Sequence, residues 1–303
     1  MSARLMLVPM IDGEIKDGTG GGSARPARAA LPAALLERAR AHLAGTGGPI
    51  VAPKHAATVL LLRDRPGGME VYLLRRAASM AFAAGFHAFP GGSLDPRDSE
   101  LEVGWAGPPP EAWAETFGCD PAHARALLCA AVRETFEESG VLLAGPDERS
   151  VVDDVTGAGW EADRLALVEH RCSLAELLDR RGLVLRADLL AGWARWITPD
   201  FEPRRYDTAF FLAALPAGQH ARDVSGEADQ ADWVRPAAAV AEQEAGRMPM
   251  LPPTFTTLRT IAGFADAASA LAAGRKQTTD PISPISPTLR QGEDGRYYLD
   301  WPG

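Results

Sequence analysis

Apolar residues recur at helical spacing through "LPAALLERARAHLAG" (31–45), which ends on Gly45 and reads as an amphipathic helix. "HAATVLLLRD" (55–64) and "MEVYLLRRA" (69–77) are leucine-rich and β-branched runs separated by "RPGG", the pattern of a hairpin. "FHAFPGGSLDPRD" (86–98) continues as an extended piece that breaks into a Gly/Pro turn. Residues 99–121, with Trp105, Trp113 and three successive prolines at 108–110, read as an inserted excursion holding at most a short helix.

The strongest helical signal is "DPAHARALLCAAVRETFEES" (120–139). Asp120 stands at the N-cap, Pro121 in the first turn, and Gly140 where a left-handed C-terminal cap belongs. Residues 162–182 are helical by period, 186–199 lead into a strand, and 205–216 and 227–236 read as strands. Residues 237–246 and 253–274 read as helices, and the tail 282–301 as extended. Helices and strands alternate without a repeating βα unit, so the expected class is α/β (α+β), a mixed sheet flanked by helices.

At 303 residues and 46% hydrophobic content the chain can bury a full core. "KDGTGGGSARPARAA" (16–30) has a linker's composition, and residues 1–30 are expected to be a flexible lead-in. No apolar run is long enough to span a membrane, and the start lacks a signal-peptide pattern, so a cytoplasmic protein is expected. Cys119, Cys129 and Cys172 have no paired spacing and read as reduced thiols. A net charge of −9 disfavours non-specific binding to nucleic acid or an anionic membrane.

That acidity concentrates in "AAVRETFEESG" (130–140). At 100° per residue, Glu137 and Glu138 lie within about 60° of Glu134, while Leu128, Val132 and Phe136 form a stripe opposite. Ala130, one turn earlier, is expected to leave the acidic face open. An Arg133–Glu137 pair at i, i+4 accounts for part of the charge, yet neighbouring carboxylates repel. A hard divalent cation, Mg²⁺ or Mn²⁺, held by carboxylate oxygens and shared with substrate phosphates would offset the repulsion. Upstream, Pro90-Gly91-Gly92 forms a turn whose backbone can approach a ligand, with the Gly91 carbonyl as a further candidate oxygen ligand.

Together, "PGG" and "RETFEESGV" resemble the Nudix box, Gx5Ex7REUxEExGU with U apolar. Gly92 matches the leading glycine, Asp98 stands where the family has its first glutamate, and Arg133-Glu134, Glu137-Glu138 and Gly140-Val141 match the remainder; Thr135 occupies a usually apolar position. Thirty-four residues separate Asp98 from Arg133 where the ordinary box has seven, which implies an insertion. A long insertion at this place is a feature of the subgroup that includes the mammalian Nudix hydrolase 19. The resemblance implies an α/β/α sandwich with additional helices. It also implies a single domain over 31–303, carrying the insertion at about 99–121 and a C-terminal helical extension.

It further implies hydrolysis of a diphosphate linkage, with Glu137 and Glu138 as metal ligands, Glu134 as ligand or base, and Arg133 bracing the helix to the glycine turn. Some family members draw the base from outside the box, which makes Glu227 a candidate. Arg75, Arg76, Arg204 and Arg205 are candidate phosphate clamps, and Asp207 could fix an arginine or a ribose hydroxyl. His87, close to the turn, reads as structural. The subgroup points to coenzyme A or its acyl esters as the small-molecule substrate. Ala81 stands where a coenzyme A-associated arginine is expected, so ADP-ribose, NADH, nucleotide sugars and a non-cleaving nucleotide sensor stay open.

Overall fold

The computed structural model describes residues 27–31, 35–77, 84–100, 103–224, 226, 228–276 and 281–302. In chain order the first elements are β1 (Ala27–Ala30), α1 (Leu36–Leu43), β2 (Lys54–Arg65), β3 (Gly68–Arg76), β4 (His87–Ala88), β5 (Gly91–Ser93) and α2 (Arg97–Glu100). Next come β6 (Trp105–Ala106), α3 (Pro110–Phe117), α4 (Pro121–Ser139), β7 (Ala144–Gly145), α5 (Ala158–Val168), α6 (Leu174–Arg181), β8 (Val184–Arg186) and β9 (Leu190–Ile197). The remainder is β10 (Tyr206–Ala214), β11 (Ala228–Val234), α7 (Pro236–Glu244), α8 (Pro252–Ile261), α9 (Ala267–Lys276), β12 (Pro284–Ile285), β13 (Thr288–Gln291) and β14 (Tyr297–Trp301).

The central sheet runs β11-β3-β2-β10-β9-β12, with β4 paired to β3 and β5 to β2. It is mixed: β2 and β10 are parallel, while β2–β3, β9–β10 and β3–β11 are antiparallel. Alternation along β2 divides the core. Ala57, Val59 and Leu61 join the cluster built by α3, α4 and α6, whereas Leu60 and Leu62 face α8 and α9. Helices thus cover both faces, and the result is an α/β/α sandwich. Smaller sheets, β1-β14-β13 and β6-β8-β7, lie outside the central one.

Two long helical readings are each divided. Residues 162–182 contain α5 and α6, separated by a turn at His170 and restarted by a Ser173/Glu176 capping box. Residues 253–274 contain α8 and α9; Asp266 accepts the Ser269 amide, and Asp64 of β2 accepts the Ala267 amide. In both, the apolar period continues across the break because both helices face one core, so periodicity alone cannot reveal the turn.

Helix α4 starts and stops as its sequence predicts, with the Asp120 carboxylate accepting the His123 amide and Gly140 at φ 69°. Its burial differs from the expectation. Leu128, Val132 and Phe136 are fully buried, but so is Ala130, which therefore does not hold a face open. The excursion after Asp98 packs against this helix: α3 lies on α4, and its Trp113 and Phe117 also meet Phe211 of β10 at centroid distances of 5.8 and 5.0 Å.

Candidate active site

Strand β5 joins the sheet through Ala57–Gly92 and Thr58–Gly91 pairing. The Pro90 carbonyl accepts the Val59 amide, so by antiparallel alternation the Gly91 N–H and C=O turn off that ladder. The Gly91 amide instead donates to Glu138 Oε2 at 2.8 Å. Both glycines are required by close approach. A Cβ on residue 92 would stand 2.4 Å from Glu134 Oε1, and one on residue 91 would stand 2.5 Å from the Ala57 carbonyl oxygen.

Arg133 connects the two halves of the box. Its Nε and Nη2 donate to Asp98 at 3.1 and 3.0 Å, Nη2 also donates to the Ser93 carbonyl at 3.0 Å, and Nη1 reaches Glu134 (2.8 Å) and Glu137 (3.3 Å). Its side chain is 6% exposed and that of Asp98 1%. Burial opposes the Arg133 charge, but the hydrogen bond to Asp98 and the surrounding carboxylates outweigh it and hold the guanidinium protonated. Thr135 fits its buried position because its hydroxyl donates to the Ala131 carbonyl at 2.7 Å, leaving no polar group unpaired.

Four acids and one base in a covered patch leave excess negative charge. Burial, only partly offset by Arg133 and reinforced by Glu137, pushes the Glu134 carboxyl up to about 7. Burial likewise raises Glu137. Oxygen donors with surplus negative charge beside a glycine backbone suit a hard divalent cation in type and in charge. Glu134 and Glu137 are turned toward Arg133 and Glu138 toward the Gly91 amide. Among the described residues no three acidic, imidazole or thiol side chains surround a common point. Cation binding would therefore require these carboxylates to reorient.

Cations also stabilise the C-terminal end of α4, where helix carbonyls carry partial negative charge. Arg164 donates to the Glu137 carbonyl at 2.8 Å and pairs with Glu161, which Arg222 meets at 3.2 Å; the Arg222 amide donates to the Ser139 carbonyl. The buried Tyr72 hydroxyl donates to the Arg222 carbonyl at 2.7 Å. None of Arg164, Arg222 or Tyr72 is marked by a sequence motif; their roles follow from helix packing.

The other candidate residues are placed differently. Arg205 is buried, donating to the Thr198 and Val51 carbonyls and pairing with Asp200, so its guanidinium is committed to structure rather than presented as a clamp. Asp207 does fix an arginine, but the partner is Arg195, held at 2.7 and 2.8 Å, which sequence spacing did not suggest. Arg204 is exposed. Arg75 faces Asp229 across the β3–β11 pair at 3.8 Å, and Arg76 ends β3 beside it. Glu227 lies outside the described residues. His87 is held between strand and loop, its amide donating to the Pro249 carbonyl, and burial lowers its pKa. A cleft of about 360 Å³ lies at the far ends of β2 and β10, between residues 62–65 and 214–221, away from the carboxylates.

The fold and the two-part box resemble those of Nudix proteins, and comparison with known proteins agrees. The profile of the NUDT19 Nudix domain matches residues 119–261. The acyl-coenzyme A diphosphatase NUDT19 of Gallus gallus is 27% identical over 259 residues, 70% of this chain and 68% of its own length. The Homo sapiens protein of the same description is 31% identical over 241 residues, 65% and 62% respectively, so the match spans under two thirds of that relative. The crystal structure of a NUDIX hydrolase from Alicyclobacillus acidocaldarius aligns with a TM-score of 0.63 at 29% identity, covering 77% of this chain and 99% of that one. The chain carries a Nudix domain like that of NUDT19 and resembles the Nudix hydrolases of that group. No helix among the described residues is long and apolar enough to cross a membrane.

Proposed function

We propose that this chain is a pyrophosphohydrolase that cuts the diphosphate linkage of coenzyme A or its acyl esters, giving 3′,5′-ADP and (acyl-)phosphopantetheine, with Mg²⁺ or Mn²⁺. The observation that carries the reading is the gathering of Asp98, Glu134 and Glu137 around the single Arg133 guanidinium, with Glu138 held on the Gly91 amide of the adjoining glycine strand. The activity named for the NUDT19 relatives supports the substrate class.

In this reading a divalent cation, when bound, neutralises diphosphate charge and makes water a better nucleophile. Glu137 and Glu138 would hold it, with Glu134 and the Gly91 carbonyl as further candidate oxygen donors. Asp98 and Ser93 keep Arg133 in place, and Arg133 keeps α4 against β5. A Glu134 carboxyl titrating near neutrality suits a general base, and Glu227 is the alternative from outside the box. Arg75, Arg76 and Arg204 remain candidates for phosphate contact. Residues 31–303 act as one domain, residues 99–121 brace α4, and three free thiols support a reducing, cytoplasmic setting.

The test is incubation with Mg²⁺ or Mn²⁺ and coenzyme A, acetyl-coenzyme A, ADP-ribose, NADH and nucleotide sugars, with products resolved by mass. Coenzyme A cleavage that Glu137→Gln and Glu138→Gln abolish is the expected result. Preferential cleavage of another diphosphate would replace the substrate assignment. Tight binding without cleavage would establish a nucleotide sensor instead.

A further inference from the structure

His170 is the only non-glycine residue at positive φ (54°) among the described residues. It closes α5 where a glycine is usual: the His170 amide donates to the Leu167 carbonyl and the Arg171 amide to that of Ala166, both at 2.8 Å, as in a left-handed helix cap. A side chain here is conformationally disfavoured, and the backbone bonds alone do not call for one.

The imidazole is held from one side. Asp95 chelates Arg97, whose Nη1 donates to the His170 carbonyl at 3.0 Å and whose Nη2 lies 3.0 Å from His170 Nδ1. Arginine can only donate, so Nδ1 accepts and the ring carries its proton on Nε2. Asp95 Oδ2, which could only accept from Nδ1, is 3.3 Å away; the shorter arginine contact favours the Nε2–H tautomer. The His170 side chain is 68% exposed, and the ring is within electrostatic reach of Glu137. The Asp95 amide in turn donates to Asp98, the carboxylate that clamps Arg133. His170 is therefore tied to the same frame as the box.

We propose that His170 contacts substrate, its Nε2–H donating to a diphosphate oxygen beside the α4 carboxylates. This rests on the pyrophosphohydrolase reading above. Asp95 and Arg97 are positioning residues that fix the tautomer and aim the ring.

Nitrogen-15 NMR of the histidine-labelled protein should show His170 as the neutral Nε2–H tautomer. Its Nε2 signal should shift when Mg²⁺ and uncleavable methylenediphosphonate are added together. His170→Gly keeps the carbonyl that Arg97 uses and relieves the backbone, so its melting temperature should equal or exceed that of the wild type. Its kcat/KM for coenzyme A should fall at least tenfold. His170→Asn, which tolerates the same φ and keeps a donor, should recover part of that loss. An Nδ1–H tautomer, an unmoved Nε2 signal, or His170→Gly within twofold of wild type would each overturn the proposal. If the wild type cleaves no diphosphate, the functional reading fails separately and the diphosphonate shift still decides whether His170 meets the ligand.

Discussion

Residue 92 has no room for a Cβ because Glu134 Oε1 occupies the space, 2.4 Å from where that atom would stand. The glycine that opens the box and the first glutamate of its helix are thus matched in shape, although 42 positions separate them in the chain.

Gly92→Ala should act through Glu134. The obstructing atoms end a side chain that can swing aside, so stability should fall by about 1 kcal/mol, while turnover drops at least tenfold as the carboxylate is displaced. Gly91→Ala should behave differently, because its Cβ would meet the Ala57 carbonyl and the Thr58 backbone. A loss of about 3 kcal/mol is expected there. Urea unfolding and diphosphatase assays on both variants check the contrast.

Glu134→Gln should separate stability from activity. It removes one buried charge from a patch with surplus negative charge, so the metal-free protein should become more stable, on the order of 1 to 2 kcal/mol at pH 8. The sign follows from a folded-state pKa raised toward 7: stability is lost as pH rises from the unfolded value through that range, and glutamine abolishes the loss. Activity should fall about a hundredfold or more. Melting temperatures in chelator at pH 5 and pH 8, beside turnover, are the measurements.

Asp98→Asn should destabilise the protein by about 3 kcal/mol, since it leaves the nearly buried Arg133 without its bidentate carboxylate. Glu134 and Glu137 would then take more of the guanidinium, and divalent-cation affinity should weaken as well. Calorimetric titration with Mn²⁺ would detect this; unchanged stability and affinity would mean Asp98 does not organise the site.

Acid should unfold the chain partly through two imidazoles. Burial lowers the pKa of His87, and burial followed by the nearby His55 lowers that of His123. A depressed folded-state pKa contributes stability that is complete above the unfolded value of about 6.5 and is lost as pH falls below it. Urea midpoints between pH 7.5 and pH 5 should decline, and the His87→Gln, His123→Gln double variant should show a shallower decline.

The sequence by itself determined the hairpin, the capped helix at 121–139, the mixed helix-and-strand class, and the two half-boxes with their insertion. Those features depend on local rules: period, caps, turn residues and residue spacing. Only the tertiary structure decided that Ala130 is fully buried, that Arg205 is committed to backbone carbonyls, and that Asp207 belongs to Arg195. It likewise brought Arg164 and Arg222 to the end of α4 and tied His170 to Arg97 and Asp95. The physical reason is that a charged side chain has several possible partners within reach, and nothing in its own neighbourhood along the chain selects among them. Packing α3, α5 and the 216–223 loop around α4 makes that selection. The same packing desolvates Glu134 and Glu137 beside Asp98, leaving a patch whose charge one arginine cannot balance.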